Sequence, residues 1–123
     1  MKRVSLVVLS IFFVTAGINH FINPDFYLSL IPPYFPNHHL INSCSGIVEI
    51  TLGIGLMFPV FRQYAALGIV ILMLLFVPSH IYFVQMGSCI EDLCTEPWIG
   101  WVRLVVIHPL LILWAFWHSK EVK

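Results

Sequence analysis

The sequence predicts an all-α protein, a four-helix transmembrane bundle with both termini cytoplasmic and an interfacial first outer loop. Three observations predict it. Of 123 residues, 59% are hydrophobic and only 10% charged, whereas soluble domains carry roughly 25% charge. Four apolar stretches, spanning residues 4–21, 40–58, 64–86 and 99–117, each approach the ~20 residues a helix needs to cross ~30 Å of hydrocarbon. The basic residues sort by side. Lys2 and Arg3 precede the first stretch, Arg62 lies in the second connection, and Lys120 and Lys123 follow the fourth. The other two connections, 22–39 and 87–98, hold Asp25, Glu91, Asp92 and Glu96 but no Lys or Arg, so the positive-inside rule puts both termini in the cytoplasm.

Short connections leave no room for a second domain, so residues 1–123 form one multi-pass unit of the cell's cytoplasmic, or inner, membrane. The lipid bilayer is its first partner. Six basic and six acidic residues cancel, and no basic patch is present of the kind that tracks phosphates, which argues against nucleic acid. The apolar runs are continuous and too long for the alternating ~10-residue segments of a membrane barrel. Met1, Lys2 and Arg3 before an apolar run also resemble a secretory signal. That run ends in Asn19, His20 and Phe21 without a small-x-small cleavage site, so it is read as the first span.

In the first stretch, Asn19 and His20 stand at the outer end, and Gly17 precedes them. The connection after it, NPDFYLSLIPPYFPNHH, is too rich in proline to be one regular helix and too apolar to be a free tail. It is expected to lie in the interface over the mouth of the bundle, either as a gate or as an aromatic belt around a rigid turn. His38 and His39 there are read as solvated.

The second stretch carries CSGIVEITLGIG. Asn42, Ser45, Gly46, Glu49 and Gly53 recur at spacings of three and four, which sets them on one helix face, the interior seam. The small residues let a neighbouring backbone approach. Glu49 opposes insertion by about 2.5 to 3.5 kcal/mol where each aliphatic neighbour favours it by roughly 0.3 to 0.6. An acid kept at that cost requires a cation, donors, water or its own proton.

Its candidate partners are His20, His80 in the third stretch, and Arg103 and His108 in the fourth. Together they make an acid and base site at one depth of the outer half, because His titrates near neutrality and Arg holds its charge. Arg103 and His108 are five residues apart, about 140° around an α-helix, so one of the two but not both is expected to face Glu49. Pro78 and Pro109 each remove a backbone bond, freeing the carbonyls of Leu74 and Val105 at the same level. A metal site from His20, Glu49, His80 and His108 lacks a helical i, i+4 ligand pair and is not expected. Cys89 and Cys94, in CIEDLC on the extracytoplasmic side, are expected to form a disulfide. Their acidic neighbours disfavour thiolate, which argues against a redox-active pair. Cys44 is left unpaired and is read as a small hydrophobe, or as a thiol exchanging with the loop pair.

These landmarks resemble a family. GINHF, a Pro-Asp-Phe segment, LIPPYFP, SGIVEITLGIGLMFP with Arg62 and Ala65 after it, VPSHIYFV and RLVVIHPLLILWAFW together look like the small DoxX-like membrane proteins, distant kin of NACHO. The resemblance covers nearly the whole chain. It implies family positions at Gly17, His20, Phe21, Gly46, Glu49, Pro78, Arg103, His108 and Trp114. His80 stands where that family has Asn and His108 where it has Gln. The family's roles range from quinone-linked oxidation and thiol stress to receptor assembly, and kinship of fold does not choose among them.

Two functions are therefore expected in competition. In one, a redox-linked accessory protein binds a quinone or small polar ligand in the outer pocket. Glu49, His80 and His20 exchange protons with it, Arg103 stabilises negative charge, and Asn19, His108 and Gly46 complete the ligand site. In the other, the polar cluster only locks helices together, and the bundle holds a partner membrane protein as an assembly factor or scaffold. A transporter is weaker, since no internal repeat is visible.

Overall fold

The computed structural model describes residues 2–90 and 93–120. Glu91 and Asp92, two of the acidic residues that set the predicted orientation, lie outside the described residues, as do Met1 and Lys123. The fold is all-α apart from one pair of two-residue strands. In chain order the elements are α1 (Lys2–Ile22), α2 (Pro24–Leu30), α3 (His38–Gly55), α4 (Arg62–Leu75), α5 (Val77–Gln85), β1 (Cys89–Ile90), β2 (Leu93–Cys94), α6 (Pro97–Val102), a π-helical turn (Arg103–Ile107) and α7 (His108–Ser119).

Among the described residues, three helical segments are long and apolar enough to cross a membrane: Lys2–Ile22, Arg62–Gln85 and Pro97–Ser119. The second joins α4 to α5 through Phe76, and the third joins α6 to α7 through the π turn. The second predicted stretch differs from expectation. As α3 it begins at His38 and stops at Gly55, with Leu56 to Phe58 wound into tighter turns, their N–H groups reaching Leu52, Ile54 and Gly55. Its 18 residues include His38, His39, Asn42 and Glu49, which leave it less apolar than the other three. The helix that carries the polar seam is thus the one whose hydropathy does not by itself mark a span.

Local chemistry fixes the ends. The Asn37 side chain accepts from the Leu40 N–H at 3.2 Å and caps α3. At the other end Arg62 Nε donates to the Leu56 carbonyl at 2.8 Å, covering an acceptor that the terminating helix leaves bare. Pro97 opens α6 where its missing N–H costs nothing.

The helices pack in two main pairs, α1 along α3 and α4 along α7. The end of the molecule that holds the termini is solid. Leu6, Leu9 and Phe13 of α1 meet Leu56, Ala65, Ala66, Ile69 and Met73, with Ala115 from α7. Trp114 Nε1 donates there to Ser5 Oγ at 2.7 Å, and Ser5 Oγ lies 3.0 Å from Nε2 of the fully buried His118. Large apolar side chains such as Ile11, Ile47, Ile71 and Leu113 cover the outside of the helices. The opposite half is hollow.

Candidate functional site

The site begins with two glycines. A Cβ on Gly17 would stand 2.7 Å from the Gly46 carbonyl oxygen, and one on Gly46 would stand 2.9 Å from the Gly17 carbonyl oxygen. Only bare backbones allow α1 and α3 to come this close. Three residues beyond each glycine, on the same helix faces, stand His20 and Glu49, and both are buried.

His20 Nε2 is 2.6 Å from Glu49 Oε2. On the other side of the ring, Nδ1 is 2.7 Å from Asn42 Oδ1, while Asn42 Nδ2 donates to the His20 carbonyl at 3.0 Å. This pair of bonds fixes the tautomer. A backbone carbonyl can only accept, so the Asn42 amide must present its oxygen to the ring, and Nδ1 must carry a proton. Nε2 and Glu49 Oε2 then hold one proton between them, as acid with neutral imidazole or carboxylate with imidazolium. Glu49 Oε2 has no further hydrogen-bond partner. Sequence reasoning placed Asn42 on the seam without giving it this role; nothing in the sequence indicates that its amide would meet His20.

Tyr27 of α2 lies flat on the His20 ring, with centroids 3.8 Å apart and planes 18° apart. Asn19 Nδ2 donates to its hydroxyl at 2.8 Å, and Asn23 Nδ2 in turn donates to Asn19 Oδ1 at 2.8 Å. Burial pushes the Tyr27 phenol above its ordinary value, outweighing the hydrogen bond from Asn19. It therefore remains an O–H donor near neutral pH.

The facing wall comes from the two broken helices. Where α4 ends before Phe76, the Met73 carbonyl accepts from His108 Nε2. That carbonyl also accepts from the Phe76 N–H at 3.2 Å, so His108 is a second donor to it and ties α7 to the end of α4. The His80 ring stands 4.6 Å from the His108 ring. In the last span, Pro109 cannot donate to Val105, and the chain widens into a π turn in which the His108 N–H bonds the Arg103 carbonyl, five residues back. The expectation that Arg103 and His108 diverge assumed 100° per residue. An i to i+5 turn brings residues five apart to nearly the same azimuth, and both stand on the same wall.

Together these elements enclose a cavity of about 880 Å³, lined by His20, Glu49, Tyr27, His80, Arg103 and His108 among mostly apolar neighbours. The volume falls in the range that takes a small organic molecule. Arg103 forms no ion pair with Glu49, whose partner is His20; its guanidinium lies 5.5 Å from the centre of the Phe83 ring. Two expected ligand residues occupy other places. Gly46 faces the backbone of α1, and Asn19 lies behind Tyr27 beside a separate hollow with Asn23 and Asp25. Both position the site without lining it.

Cys89 and Cys94 are joined as a disulfide across β1 and β2, with Cα atoms 4.0 Å apart. Cys44 is exposed on α3, not buried as the reading of it as a small hydrophobe required. Among the described residues no cluster of three or more His, Cys, Asp or Glu is placed to hold a metal ion.

Residues 9–119 match the family model described as a domain of unknown function, DUF8561. No curated protein and no solved structure matches the chain.

Proposed function

The chain belongs to the DUF8561 family, and for this member we propose an integral membrane protein whose four helical segments all cross the bilayer, with both termini cytoplasmic and the cavity in the outer half. It binds a small molecule with an apolar body and a polar head, a quinone foremost, and exchanges a proton with that head. Electrons come from a partner membrane protein, which makes this chain a redox-linked accessory.

The observation that carries it is the Glu49–His20 pair on the wall of the cavity. One proton is shared between a carboxyl and an imidazole 2.6 Å apart, and Asn42 holds the ring in the tautomer that faces the acid. The pair sums to zero in either arrangement and stays neutral only where it takes up one proton for each it gives, so its role is that of a proton relay to the head. His80 and Tyr27 supply further donors to an oxygen lodged between them.

The test is calorimetric titration of the purified protein in detergent with a short-chain quinone. Native protein should bind, and Glu49→Gln should bind about tenfold more weakly, the effect of losing one good hydrogen bond to a charged partner. Equal binding by the two proteins refutes the role given to Glu49.

A second reading is favoured by the two bonds between Asn42 and His20, which lock α1 to α3 as an assembly scaffold would require. Under it, Glu49→Gln leaves the protein unfolded or mislocalised, and crosslinking of the native protein recovers a partner membrane protein.

A further inference from the structure

Among the described residues the charges around the cavity do not cancel. Because Asn42 fixes a proton on His20 Nδ1, the Glu49–His20 pair has two acceptable states, a neutral acid with neutral imidazole or a carboxylate with imidazolium. Both sum to zero. A carboxylate against an unprotonated Nε2 would set two lone pairs 2.6 Å apart, and two protons would not fit in that gap.

Arg103 is then left without a carboxylate partner among the described residues. Its guanidinium is charged at every accessible pH, and it lines the cavity. The other described carboxylates, Asp25 and Glu96, are exposed, and neither pairs with it. The Phe83 ring at 5.5 Å is its partner, and a ring face offsets only a part of what a carboxylate supplies. His80 also faces the cavity, with no hydrogen bond to its ring nitrogens among the described residues. Next to it His108 has Nε2 committed to the Met73 carbonyl. The Tyr27 hydroxyl accepts from Asn19 and keeps its own proton to give. A fixed positive charge and two donors therefore converge on a space with apolar walls, where an unmatched charge is costly.

We propose that Arg103 anchors the head of an amphiphilic ligand bound as a monoanion, with one negatively charged oxygen group on the guanidinium and the apolar body along the wall made by α4 and α5. This rests on the reading that the cavity binds a ligand, and it adds the ligand's charge. It also gives the π turn a purpose, since that turn is what brings Arg103 round to the cavity.

The experiment uses two naphthoquinones that differ in charge and by a single methyl group. A 2-hydroxy-3-alkyl-1,4-naphthoquinone is ionised at neutral pH, and its 2-methoxy analogue is neutral. The native protein in detergent should bind the hydroxy compound about ten to a hundred times more tightly, the range supplied by charge-assisted hydrogen bonds. Arg103→Gln should remove the difference and Arg103→Lys should keep part of it. The ionised chromophore absorbs at longer wavelength than its acid, so titration of the bound dye reads its charge in the native protein without any variant. Its midpoint should fall on binding. Equal affinities for the two compounds, or a midpoint that rises, overturn the monoanion proposal and leave the ligand-binding cavity standing. Binding of neither compound overturns both.

Discussion

Replacing Asn42 with leucine removes the amide while keeping its branched heavy-atom skeleton, and so tests the lock between α1 and α3. Two bonds go: the one from His20 Nδ1 at 2.7 Å and the one to the His20 carbonyl at 3.0 Å. Interhelical hydrogen bonds measured in membrane proteins average about 0.6 kcal/mol with a maximum near 1.7. Two of them set an expected loss of about 1 to 3 kcal/mol, toward the upper end because the N–H and carbonyl left behind are buried, each unsatisfied group costing about 1 to 3 kcal/mol. The assay is equilibrium unfolding in mixed micelles by titration with a denaturing detergent, accompanied by nitrogen NMR of the imidazole. Native protein should show a proton fixed on Nδ1 of His20, and Asn42→Leu should show both tautomers. A variant within about 0.5 kcal/mol of native, the usual range for a substitution away from such features, with an unchanged tautomer, refutes the role assigned to the amide.

Gly17→Ala should cost about 1 to 3 kcal/mol in the same unfolding assay, because its Cβ meets the Gly46 carbonyl oxygen at 2.7 Å and backbone cannot step aside. Pro109→Ala restores a backbone donor, so the π turn should relax to α-helix; stability should hold or rise while affinity for the naphthoquinone anion falls as Arg103 turns from the cavity. For Tyr27 the folded state holds its proton more tightly than the unfolded chain, whose ordinary value is 10.0. That contribution is complete below the ordinary value and is lost as pH rises through the higher folded one. Alkaline unfolding curves should show the loss in native protein, and Tyr27→Phe should abolish it. Cys89→Ser should destabilise the protein by at most about 2 kcal/mol, the entropy of closing so short a loop, and should leave quinone binding unchanged, because the disulfide stands outside the cavity wall.

Much of this architecture was readable from local rules. The period of Asn42, Gly46, Glu49 and Gly53 marks one helix face, and those four are the buried residues of α3. Glu49 required company, and one end each of α1, α5 and the last helical segment was where donors could be found. Its partner was harder to choose. His20, His80, Arg103 and His108 all satisfy the same depth argument, and depth says nothing about which ring turns toward the acid. Tyr27 escaped notice because α2 is a seven-residue helix inside a proline-rich connection, with no period to mark it.

By itself the sequence determined the apolar segments, the small-residue seam, and the presence of an acid and several basic groups at one level. Those follow from composition and helical period, which act along the chain. Only the tertiary structure decided the pairing of Glu49 with His20, the tautomer set by Asn42, and the shared wall of Arg103 and His108. The reason is physical: a proline at position 109 forbids an α-helical bond, but whether the chain kinks or widens depends on what the neighbouring helix offers. Here the acceptor offered is the Met73 carbonyl to His108, an interaction between residues 35 apart in sequence that no local pattern encodes.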